Sequence, residues 1–182
     1  MDTRWAALFD DLEGEFEAAR AMELDAEVRD RARREVARLA LADRLTTAIG
    51  HPLTVRVHGA GTVRGTLTDA APEWLLLTEA AADSLVPAHA VLHLAGLSGL
   101  SEEPTRTVKR LTLTYALRGL ARRRTGVTVT LTDGSTLSGT LDRVGADFVE
   151  LAEHAPGEPR RPKDVTTTRT VPLHALGLVR SA

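Results

Sequence analysis

Residues Thr128 to Glu153, TVTLTDGSTLSGTLDRVGADFVELAE, lie without a gap on Thr54 to Glu79, TVRVHGAGTVRGTLTDAAPEWLLLTE, when the chain is shifted by 74 positions. Roughly a third of the aligned pairs are identical, among them Val55/Val129, Thr62/Thr136, Gly65/Gly139, Thr66/Thr140, Leu67/Leu141, Leu77/Leu151 and Glu79/Glu153, and such a match marks an internal repeat. Further on, Val86-Pro87-Ala88-His89-Ala90 is echoed by Val171-Pro172-Leu173-His174-Ala175 after a longer connection. Each copy is short, so each core is thin and calls for packing against a neighbour.

Ahead of the repeat, Trp5, Leu8, Phe9, Leu12 and Phe16 fall along one side of a helix. A second pattern runs through Leu24, Val28, Ala32, Val36, Leu39 and Leu45, with Arg29, Arg33, Arg34 and Arg38 between them. Neither Pro nor Gly interrupts Glu15 to Ile49, so one long helix or a tight helical hairpin is expected there, stopped by Gly50 and Pro52. Two uses suit it: an arm for oligomerisation or partner binding, or a helix folded onto the rest of the chain.

From Leu53 the apolar period becomes two. Leu53, Val55 and Val57 alternate with Thr54, Arg56 and His58, and a Gly59-Ala60-Gly61 turn follows. Gly65 and Gly139 stand inside strands, where a glycine marks a bulge or sharp bend. Asp133-Gly134 gives the second copy a two-residue hairpin signal. Thr107 to Arg124 reads as a helix ending in Arg122-Arg123-Arg124, and His154 to Asp164 as an exposed basic loop holding Arg160, Arg161 and Lys163.

The second copy resembles an Sm-like domain of the bacterial Hfq type, in Val129 to Gly134, Gly139, Phe148 and Val171 to Ala175. The resemblance implies a bent five-stranded barrel introduced by a helix, ring formation, and RNA held by a stacked aromatic and a Lys-His pair. The Tyr-Lys of that motif is replaced by Pro172-Leu173 and Pro87-Ala88. The chain also resembles high-GC bacterial proteins labelled Fis-type transcriptional regulators, although its C-terminus alternates as strands rather than as a helix-turn-helix.

The expected fold is therefore α+β: a helical arm over 1–49, a first Sm-like (SH3-like) barrel over 50–98, a linker and helix over 99–125, and a second barrel over 126–182. Strand alternation sets Trp74 and Phe148 opposite the core residues, where they would stack a base, pack a neighbouring chain or lie under the preceding helix. His89 and His174 are either nucleic-acid ligands or strand-end residues bonded to backbone. Arg122, Arg123, Arg124, Arg160, Arg161 and Lys163 are the phosphate candidates; a solvated loop and a dipole-complementing helix end explain them equally.

Charge agrees with a basic second copy: from Pro104 onward there are 13 Lys and Arg against 7 Asp and Glu, in a chain whose net charge is −2. The absence of cysteine removes disulfides, thiolate zinc sites and thiol nucleophiles. His89 and His93 lack a third ligand at a recognisable spacing, and no nucleophile elbow, phosphate loop or acid pair stands out. With no signal peptide or apolar span, the expectation is a cytoplasmic, non-enzymatic protein without cofactor, interacting with RNA or DNA, or else serving assembly through residues 3–49.

Overall fold

Apolar residues at every second position turn Leu53, Val55 and Val57 inward and bury them, and the same alternation buries Val127 and Val129 in the second copy. The computed structural model describes residues 3–80, 82–97, 111–155, 165 and 167–181. Strands β1 (Pro52–Val57), β2 (Gly61–Ala71), β3 (Trp74–Glu79), β4 (Ala82–Pro87) and β5 (Val91–Ala95) come from the first copy. The second supplies β6 (Gly126–Leu131), β7 (Thr136–Val144), β8 (Phe148–Glu153), β9 (Thr167–Pro172) and β10 (Leu176–Ser181). Three α-helices are described: α1 (Thr3–Val36), α2 (Leu41–Thr47) before β1, and α3 (Leu113–Arg123) before β6.

All ten strands form one antiparallel sheet in the order β5-β1-β2-β3-β4-β10-β6-β7-β8-β9. This corrects the expectation of two separate five-stranded barrels. Strand β4 takes its second neighbour from the other copy, with Val179 opposite Leu85, Arg180 opposite Ser84 and Ser181 opposite Asp83. The first half does not close on itself because the edge that closure would use is already paired.

The two halves nevertheless follow one plan. Their strands run in the same order, and matching bulges fall between Leu67 and Asp69 in β2 and between Leu141 and Arg143 in β7. A Cβ at Gly65 would come 2.8 Å from the Thr78 carbonyl oxygen, and one at Gly139 would collide with the carbonyl of Ala152, the counterpart of Thr78. Both glycines therefore let adjacent strands approach at the same bend.

Two hydrophobic cores result. Leu45 of α2 and Ala48 just after it pack with Leu53, Val55, Leu67, Leu75 and Leu77, and Leu113 and Leu117 of α3 pack with Val129, Leu141, Val149 and Leu151. The second core also takes Ala71, Trp74 and Leu85 from the first copy, while Leu178 joins the first core. Each core thus borrows across the β4–β10 pairing, which answers the thinness of a single copy.

Where one long helix or a tight helical hairpin is expected over Glu15 to Ile49, the structure has two helices. Helix α1 ends at Val36, and Leu41–Thr47 begins anew as α2; residues up to Ala40 form one compact unit, and Leu41 onward the other. Gly50, at φ +91°, turns the chain out of α2, and its amide donates to the Leu67 carbonyl at 2.7 Å. Of the helix expected over Thr107 to Arg124, 107–110 lie outside the described residues, and α3 starts after Thr112, whose hydroxyl accepts from the Tyr115 amide.

Candidate nucleic-acid interface

Trp74 lies on the face of β3 opposite Leu75 and Leu77, as alternation requires, yet it is 5% exposed. It is covered by α3 of the second copy, not by the helix that precedes its own strand. Its indole N–H donates to the Leu111 carbonyl at 3.2 Å, and the neighbouring Glu73 carboxylate accepts from the Leu113 amide at 2.8 Å. The amide is in the first turn of α3, where backbone N–H groups are unpaired and an anion is favoured. The Glu73-Trp74 pair thus anchors the start of α3, a role for Glu73 that sequence inspection misses.

His89 spans the two copies as well, its Nε2 donating to the Leu176 carbonyl at 3.1 Å. Its counterpart His174 is exposed and makes no hydrogen bond among the described residues. Phe148 is half-buried at the start of β8, with the Gly145 backbone across its ring; a Cβ there would meet Phe148 Cδ1 at 2.7 Å.

Helix α3 brings cations to this corner. Arg118 Nη2 donates to the Gly145 carbonyl at 3.3 Å, and Arg122 Nε donates to the Arg118 carbonyl at 3.3 Å one turn later. Arg122, Arg123 and Arg124 are exposed, and Arg124 closes the helix at φ +51°. Arg123 and Arg124 form no ion pair among the described residues. Arg118, four residues before Arg122, is a cation of this corner that the triple-Arg run does not announce.

The corner is not purely basic. Arg143 pairs with Glu150 at 3.6 Å, and Asp147 is exposed beside Phe148. Arg160, Arg161 and Lys163 lie outside the described residues. The structure therefore brings Arg118 to Gly145 beside Phe148, turns Arg122 and Arg123 toward Trp74, and sets Trp74 and His89 into the join between the copies.

On the other side of α3, a groove of about 450 Å³ is lined by Trp74, Leu76, Leu85, Tyr115, Arg122 and Arg123 among others. No group of three His, Asp or Glu side chains able to hold a metal occurs among the described residues, and no described helix is long and apolar enough to cross a membrane. Compared with known proteins, the chain matches no family model and no curated protein.

Proposed function

We propose that this protein is a non-enzymatic assembly module of the cytoplasm, in which α1 of one copy pairs antiparallel with α1 of a second. The observation that carries the reading is a 34-residue helix forming its own unit with Phe16, Met22, Leu24, Val28 and Val36 all more than half exposed. Apolar side chains exposed on a helix favour a partner, because packing rather than propensity supplies most helix stability.

Charge selects the orientation. Residues 10–17 hold five acids, Asp10, Asp11, Glu13, Glu15 and Glu17, while 29–38 hold five arginines, Arg29, Arg31, Arg33, Arg34 and Arg38, with Asp30 and Glu35. Antiparallel pairing sets the acidic stretch of each helix beside the basic stretch of the other. The test is the solution mass of the full chain by sedimentation at high micromolar concentration. A multimer is expected in wild type, with dissociation on Leu24→Asp plus Val28→Asp; a wild-type monomer would overturn the reading. Both substituted positions are exposed, so the fold of the sheet is not at stake.

A second reading, contact with RNA or DNA, is favoured by one observation: Arg122, Arg123 and Arg124 stand exposed together at the end of α3. Together with the Sm-like resemblance, this predicts salt-sensitive binding of a labelled oligonucleotide. Replacing the three arginines by alanine should abolish that binding. Unchanged affinity in the triple variant would remove this reading and leave the first untouched.

A further inference from the structure

The β4–β10 pairing shows what two copies of the repeated unit need in order to join, and β5 and β9, the edge strands among the described residues, can be compared with it position by position. By the shared register, β9 corresponds to β4 and β5 to β10, so a second chain placing its β5 along β9 would repeat the seam. Three features of the internal seam are missing at those edges.

The first is the tip of the β1–β2 hairpin. Gly59 has φ +75°, and a Cβ on it would collide with the Leu131 carbonyl and stand 2.8 Å from that of Thr132. Its counterpart one repeat later is Asp133, which carries a Cβ and uses its carboxylate within its own turn, accepting from the Ser135 amide at 2.8 Å. The second feature is the bulge in β10. A Cβ on Gly177 would lie 2.6 Å from the His58 carbonyl oxygen of the first copy. The corresponding bulge residue in β5 is Leu92, 60% exposed, whose side chain occupies the approach a second chain's Thr132 carbonyl would take.

The third feature is the outer face beside the join. Leu76 and Leu85 pack against the second core there; Glu150 and Thr170 hold the matching places on β8 and β9. Arg169, paired with Glu153 at 2.9 Å, adds charge to the β9 edge, and charged or bulged edges resist strand addition. His174 alone retains the seam's chemistry, and one hydrogen bond does not offset two steric conflicts and a desolvated carboxylate.

We infer that the outer edges β5 and β9 are closed to a second copy, so that the β4–β10 pairing is made once, within each chain, and strand addition does not extend the sheet. The inference stands on the two copies alone and does not depend on α1. Hydrogen exchange of the full chain, read at low and high concentration, tests it. The β5 and β9 amides facing away from their one neighbour strand among the described residues should exchange at the same rate at both concentrations, whatever α1 does. Protection of β5 and β9 that grows with concentration would overturn the inference. The reciprocal variant, Leu92→Gly with Asp133→Gly, Glu150→Leu and Thr170→Leu, restores the seam's residues at the edges. It should gain concentration-dependent protection there and a higher solution mass; a folded variant that gains neither would show that these positions do not close the edges. If that variant fails to fold, the wild-type exchange still decides.

Discussion

The two halves of the sheet share strand order, bulges and the glycine bend, and they part company on one surface. In the first half the outer face of β3 and β4 is apolar, through Trp74, Leu76 and Leu85, and lies beneath the second copy's α3. In the second half the same face carries Phe148, Glu150 and Thr170 and is partly open to solvent. The inward face keeps its pattern because each half must bury a core; the outward face has diverged because only one half has a neighbour in the chain to cover it.

That contrast predicts unequal effects at equivalent positions, read as unfolding free energies from urea titration. Trp74→Ala empties a site within the second core and should cost about 3–5 kcal/mol. Phe148→Ala, at a half-buried site, should cost about 1–2 kcal/mol. Equal losses would mean that α3 does not cover Trp74. Next, Glu73→Ala removes the carboxylate at the start of α3 and should cost about 0.5–2 kcal/mol, as other lost helix caps do, while Asp147→Ala should stay within about 0.5 kcal/mol. A reversal of that order would remove Glu73 from its anchoring role.

Smaller again is the histidine pair. His89→Ala loses a single neutral hydrogen bond across the seam, about 0.5–1.5 kcal/mol, whereas His174→Ala should fall within about 0.5 kcal/mol. The smallest effect concerns the hairpin tips. Hydrogen bonds from the Ser135 hydroxyl and amide hold the Asp133 carboxyl below the ordinary aspartate range. A lowered folded-state value means that this favourable contribution is present above the unfolded-state pKa and is lost as pH falls through the folded one. An NMR titration should place the Asp133 midpoint below those of unconstrained aspartates, and Ser135→Ala should raise it. A midpoint unmoved by Ser135→Ala would contradict the turn geometry.

Much of this was legible in the sequence. The alternation from Leu53 and its repeat 74 positions later marked both halves as strands, and Gly65 and Gly139 marked the bends, because alternation and strand glycines report local burial directly. What alternation reports is which face a residue takes, not which strand lies next to it. Ser84 and Arg180, whose side chains meet at 3.2 Å across the seam, stand 96 residues apart, and nothing local announces that pairing. A trace did exist: Trp74-Leu75-Leu76-Leu77 is apolar throughout, whereas Phe148-Val149-Glu150-Leu151 is interrupted by Glu150. A continuous apolar run belongs to a strand buried on both faces, and only the first copy has one. For the candidate interface, exposed arginines were legible as charge, while the burial of Trp74 and the engagement of His89 depended on the seam.

The seam itself can be tested by cross-linking, since the natural chain contains no cysteine to compete. Ser84→Cys with Arg180→Cys places two thiols where the present side chains touch across β4 and β10. Mild oxidation should give a monomeric, intrachain disulfide that runs faster on a non-reducing gel, with neither single variant doing so. Persistently free thiols in the folded double variant, or disulfides formed only between chains, would contradict a single sheet continuous through both copies.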